Sequence, residues 1–161
     1  MKKTILNPIS IIYIGLFVGM MAKYFDLHTE ILGKLFSQLP IWILIGVLIA
    51  VYSENEIEAM VHVLLFCLSM LNSYYVCAKM WNAIYGIEYI KGWSILALCT
   101  PLFSYFAWIS KEKGVFPKLI SIFICMISLL SCVFIYPMTV ANLIVNLILT
   151  YFMLLVEVER K

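Results

Sequence analysis

The chain has 161 residues, 65% of them hydrophobic and only 12% charged, about half the charged share usual in a soluble domain. So little polar surface excludes an ordinary water-soluble fold and makes lipid the solvent for much of the exterior. The net charge of +2 comes from positive groups scattered among loops; with no basic patch there is no nucleic-acid footprint.

The gaps between charged residues count the membrane crossings. Thr4–Ala22, Leu35–Ser53, Ala59–Ala78 and Gly92–Ser110 each lack Asp, Glu, Lys and Arg, and each is close to the roughly 20 residues a helix needs to cross the hydrocarbon core. Leu119–Val156 is twice that length and is broken by Tyr136-Pro137, which suits a tight turn between two helices. Uniformly apolar runs of this length form helices rather than barrel strands. The expectation is an all-α polytopic bundle, one transmembrane domain over 1–161, with six spans at about 8–24, 36–52, 58–78, 93–110, 117–135 and 138–156.

Six spans put both termini on one side. Lys2, Lys3, Lys111, Lys113, Lys118, Arg160 and Lys161 then face Lys23, Lys34, Lys79 and Lys91 across the membrane, and the larger positive set belongs to the cytoplasm. The expected location is the cell membrane, the cytoplasmic membrane of a bacterium. No small-x-small cleavage site ends the first apolar run, so it reads as a retained helix rather than a signal peptide.

In chain order, Asn7-Pro8 supplies a capping side chain and a proline that loses nothing at the first helical position. The first span carries Gly15 and Gly19, a close-approach face for a neighbouring helix or a membrane partner, and then Lys23 and Asp26, spaced for an ion pair at the outer boundary. Tyr24, Leu27, Ile31 and Leu35 have the spacing of a helix lying along the surface, ended by Gly33. Pro40 leaves the second span short, or kinked. Ser53 and Glu56 have capping-box spacing ahead of the third span.

That third span is the most informative. Glu58, His62, Leu65, Ser69, Asn72, Val76 and Lys79 form one seam, mostly polar, and such a stripe inside a membrane faces protein or water. His62 is the only histidine within an expected span, with Glu58 one turn away as a partner. The sixth span repeats the theme with Thr139, Asn142, Asn146 and Thr150, and if the two spans face each other Asn72 meets Asn146. Glu58, His62, Ser69, Asn72, Asn142 and Asn146 are therefore the candidate solute-binding residues, with interhelical hydrogen bonding as the structural alternative.

Between these spans, Trp81, Tyr85 and Tyr89 mark a headgroup-level aromatic set, Pro101 bends the fourth span, and Lys111-Glu112-Lys113-Gly114 is a loop. Pro117 opens the fifth span, where Ser121, Cys125, Ser128 and Cys132 make a stripe of small residues for packing. The five cysteines contain no C-x-x-C pair, and two histidines with no close Cys pair give no zinc-type ligand spacing, so neither a disulfide framework, a redox centre nor a metal site is expected. Serine-hydrolase, zinc-protease and P-loop motifs are absent. With Arg160 the only Arg and Asp26 the only Asp, membrane-enzyme clusters lack material. The expectation is a non-enzymatic protein without cofactors.

Taken together, Gly15, Gly19, Lys23, Asp26, Leu32-Gly33, Trp42, Gly46, Ser53, Tyr74-Tyr75, Pro101 and Trp108 give the chain a pattern that resembles an uncharacterised family of small multipass membrane proteins of Gram-positive bacteria. That resemblance implies no known activity. In size, helix count and the Gly15/Gly19 motif the chain is also similar to the substrate-capture subunits of energy-coupling-factor vitamin transporters, which dock a partner through small residues; the likeness is one of architecture. Two functions are expected from these readings: a small-solute transport or solute-binding subunit using the polar faces of the third and sixth spans, or a scaffold docking a membrane-protein partner, or a second copy, through Gly15 and Gly19.

Overall fold

A computed structural model describes residues 7–83, 86–134, 139–156 and 158. Among them the chain is all helical, with α1 (Pro8–His28), α2 (Glu30–Phe36), α3 (Leu39–Val51), α4 (Glu56–Met80), α5 (Ile87–Ile109), α6 (Val115–Phe134) and α7 (Val140–Leu155). The helices α1, α4, α5 and α6 are each long and apolar enough to cross a membrane. The pair α2 and α3 makes a fifth candidate, bent by 58° at the break between them, and α7 is a shorter apolar helix of 16 residues. The expected Tyr136-Pro137 turn, Tyr85 and the charged tail from Glu157, apart from Val158, lie outside the described residues.

The termini of these helices show local chemistry competing with packing. Asn7 Oδ1 accepts from Ile9 N at 2.8 Å, capping α1, which runs one turn past the expected end near Tyr24. Gly33 does not end the surface segment but sits buried within α2, where an added Cβ would lie 2.9 Å from Phe25 O and 3.0 Å from Asp26 Cα. Its missing side chain lets α2 fold back against the end of α1. Pro40 lies in the first turn of a 13-residue α3, so the bend falls at the break between α2 and α3 and not at Pro40. The expected capping box moves two residues along: Asn55 Oδ1 accepts from Glu58 N at 2.9 Å, and Glu58 Oε2 accepts from Glu54 N at 3.3 Å. Ser53 is drawn away from capping because it is buried against α4.

α3 is the axis of the bundle, touching α4, α5, α6 and α7, and an apolar residue at nearly every position suits a helix enclosed on all sides. α1 packs on α4 at the edge. In α5, Pro101 provides no N–H for Ala97 O, and Thr100 Oγ1 donates to that carbonyl at 2.7 Å. A hydroxyl thus repairs the ladder where water cannot reach.

Candidate functional site

The tightest crossing is that of α1 on α4. A Cβ at Gly15 would lie 2.0 Å from Ser69 Oγ and 2.7 Å from Phe66 O; one at Gly19 would lie 2.1 Å from Met70 O and 2.2 Å from Ser73 Oγ. Ser73 Oγ also donates to Leu16 O across the crossing at 2.7 Å. The Gly15/Gly19 face is therefore filled by α4, and the expectation that it docks a separate partner gives way: the close approach that the glycines permit is consumed inside the chain. Ser73 escaped the sequence reading, although Ser69 and Ser73 repeat the four-residue spacing of Gly15 and Gly19.

At the far end of this crossing Lys23 Nζ reaches Asp26 Oδ2 at 2.6 Å. Tyr74 Oη donates to the same oxygen at 2.9 Å, and the Lys23 ammonium lies 5.0 Å from the centre of the Tyr74 ring. Lys23 is 3% exposed, so this is a buried cation held by one carboxylate and one ring face, tying the end of α1 to α4. Tyr74 is a member that spacing alone did not reveal.

The polar stripe expected on α4 is divided. His62 is buried, with Nδ1 3.1 Å from Ser53 Oγ. The Ser53 hydroxyl donates to Ile49 O at 2.9 Å, so the imidazole Nδ1–H is the donor to Ser53. Trp108 Nε1 donates to Ser53 O at 3.2 Å, joining α5 to the same knot. Glu58 is turned toward the start of α4 rather than toward His62. Ser69 is taken up in the α1 crossing, while Asn72 and Lys79 are exposed on the outside of α4.

Asn142 and Asn146 belong to another place. Among the described residues α4 and α7 do not touch, so Asn72 does not meet Asn146. The reason is that α3 occupies the centre between them. Asn142 Nδ2 donates to Gln38 Oε1, tying α7 to the entry of α3. Asn146 Nδ2 donates to Asn142 O at 2.9 Å and to Cys132 Sγ at 3.2 Å. The small-residue stripe of α6 forms this seam: Ser121, Cys125, Ser128 and Cys132 are all buried, Cys125 lies beside Thr150, and Ser121 Oγ donates to Ser110 O at 3.1 Å. Asn146 Oδ1 and Ser128 Oγ have no hydrogen-bond partner among the described residues.

Lys111, read from sequence as a loop charge, turns inward. Its Nζ donates to Met153 O at 3.1 Å, to Val156 O at 2.8 Å and to Phe152 O, closing the carbonyl end of α7. Nothing in the Lys-Glu-Lys-Gly loop distinguishes Lys111 from Lys113.

A cavity of about 670 Å³ lies between α3, α4, α5 and α6, within the size range of ligand pockets. Its wall is almost wholly apolar, from Leu39, Trp42 and Trp93 at one end through Gly46, Cys67 and Ala97 to Phe106, Ala107 and Leu119 at the other. Along α5, Trp93 to Ala107 is fourteen steps, about 21 Å. Three polar side chains of the wall are engaged by the chain itself: Thr100 and Ser104 donate to carbonyls of their own helix, and Trp42 Nε1 donates to Phe36 O at 2.9 Å. Phe103, Leu119 and Phe123 at its lip are exposed, so the cavity opens sideways, at the level of the apolar helix flanks. No group of three His, Cys, Asp or Glu side chains capable of holding a metal is found among the described residues. Polar clusters that bind the helices to one another, beside an apolar cavity whose Thr100 and Ser104 hydroxyl donors are spent on backbone carbonyls, define the site chemically; comparison of the chain with protein-family models, curated proteins and solved structures finds no match.

Proposed function

We propose that this protein is a non-enzymatic solute-binding or transport subunit of the cell membrane, and that its solute is an apolar molecule dissolved in the bilayer, taken into the cavity between α3 and α6. The observation that carries this reading is the lateral, apolar opening of a cavity whose wall hydroxyls are already committed to the backbone. A polar solute would lose its hydration there without recovering hydrogen bonds. An apolar one gains little from burial alone, since lipid is as apolar as the wall; fit and dispersion contacts must select it.

Gly46 offers the test. A Cβ there meets only Val63 Cγ1, at 3.7 Å, so Gly46→Leu fills the cavity without striking backbone. Native mass spectrometry of the gently extracted protein is expected to find an apolar small molecule on the wild type and none on a Gly46→Leu protein of unchanged melting midpoint. A retained polar solute that survives Gly46→Leu sinks the reading.

The same proposal includes six crossings with cytoplasmic termini. α1 and α4 run parallel, as the pairing of Gly15 with Ser69 and Gly19 with Ser73 requires, which fits crossings one and three, and α2 with α3, and α7, supply the second and sixth. In a chain stripped of its five native cysteines, Lys34→Cys is expected to react with an impermeant maleimide in intact cells, and Lys113→Cys only once the membrane is opened. The opposite pattern inverts the topology.

A further inference from the structure

Two buried oxygens in the α6–α7 seam remain without partners among the described residues, Ser128 Oγ and Asn146 Oδ1. Ser128 is fully buried and Asn146 is 4% exposed. Both Nδ2 hydrogens of Asn146 are used, one on Asn142 O in the preceding turn of α7 and one on Cys132 Sγ of α6. With the amide nitrogen held by these partners, Oδ1 is left on the other side of the amide group. Ser128 lies one turn before Cys132 on the same buried stripe of α6, and residues four apart on a helix are neighbours. Because α6 and α7 run antiparallel, shown by Asn146 on Cys132 and Thr150 on Cys125, the step from Cys132 back to Ser128 leads along α7 from Asn146 toward Thr150.

Two hydrogen-bonding oxygens left bare in an apolar interior each carry a penalty of the order of a lost hydrogen bond. One small molecule that accepts from the serine hydroxyl and donates to the amide oxygen removes both penalties. We propose that Ser128 and Asn146 hold a water molecule between α6 and α7, which accepts from the Ser128 hydroxyl and donates to Asn146 Oδ1. Water is the smallest molecule that both accepts and donates, and it enters the stripe without the desolvation cost that an ammonium or metal cation brings. The site is separate from the apolar cavity and independent of what that cavity binds.

The sign of one substitution tests this. If the serine oxygen is merely orphaned, Ser128→Ala deletes an unsatisfied group and raises the melting midpoint of the full-length protein in lipid nanodiscs, or leaves it unchanged. If it holds water, Ser128→Ala lowers the midpoint by about 4 °C. In an Asn146→Leu background, where the water has lost its other anchor, the same substitution is expected to cost nothing. Lowering by equal amounts in both backgrounds overturns the proposal, as does a rise or no change in the native background. A wild-type midpoint that climbs when choline is replaced by sodium, with the climb absent in Ser128→Ala, also overturns it in favour of a cation. Should Asn146→Leu not accumulate, the sign of Ser128→Ala and the sodium comparison still decide.

Discussion

Replacing Gly15 and Gly19 together by leucine is expected to abolish the folded protein rather than to uncouple it from a partner. The nearest obstacles include backbone, Phe66 O at 2.7 Å and Met70 O at 2.1 Å from the added Cβ atoms, and backbone cannot rotate aside as a side chain can. α1 would have to move off α4, losing the Ser73 to Leu16 bond and pulling Lys23 and Asp26 away from Tyr74. Such overpacking costs on the order of 4–5 kcal/mol, most of the stability of a marginal protein. Size-exclusion chromatography in mild detergent should show aggregate in place of a single peak. Gly92→Leu is the control, because nothing lies within 4 Å of a Cβ at Gly92. If the double leucine variant yields a monodisperse protein of native midpoint, the α1–α4 crossing is not the structural joint described.

Lys111→Met should have the next largest effect. The last turn of every helix leaves carbonyls unsatisfied. At the end of α7 the ammonium of Lys111 answers three of them, Phe152 O, Met153 O and Val156 O, while lying 4.7 Å from the centre of the Phe152 ring. A cation at the negative end of a helix adds a dipole interaction to charge-assisted hydrogen bonds. Methionine keeps the packing of the stem and deletes all of this, at a cost of about 3 kcal/mol and a midpoint drop on the order of 10 °C. Lys111→Arg should fall between, because a planar guanidinium keeps the charge but cannot splay its donors toward three converging carbonyls. Lys113→Met, on an exposed neighbour, should change little. Equal effects at 111 and 113 would mean that only loop charge matters.

The contrast between these two lysines shows where sequence reasoning stops. Both stand in one loop, two residues apart, and the helix end that distinguishes them lies more than forty positions away in the chain. Ser53 makes the same point for a cap: its spacing to Glu56 fits a capping box, yet a buried imidazole nine residues on claims it and Asn55 caps instead. Gly33 signals a helix end by its backbone entropy, and a close approach to α1 overrides that signal. Legible in advance were features set within one or two turns, such as the Asn7-Pro8 start and the spacing of Lys23 to Asp26.

What the sequence determined by itself is the medium and the elements. Charge-free runs of about twenty residues must satisfy their backbone internally, so helices of membrane-crossing length follow from composition and spacing alone. Which faces meet depends on packing between residues far apart in the chain. α4 and α7 both carry polar residues, and each pattern is compatible with facing the other; α3, apolar on all sides, takes the centre instead and parts Asn72 from Asn146. Polar side chains then serve the nearest unsatisfied carbonyl or hydroxyl, while the cavity is left to apolar residues from four helices, a grouping that no local periodicity encodes. Inside lipid the hydrophobic effect does not rank one helix face against another, so close approach at glycine and serine, and hydrogen bonds that water cannot replace, select the arrangement.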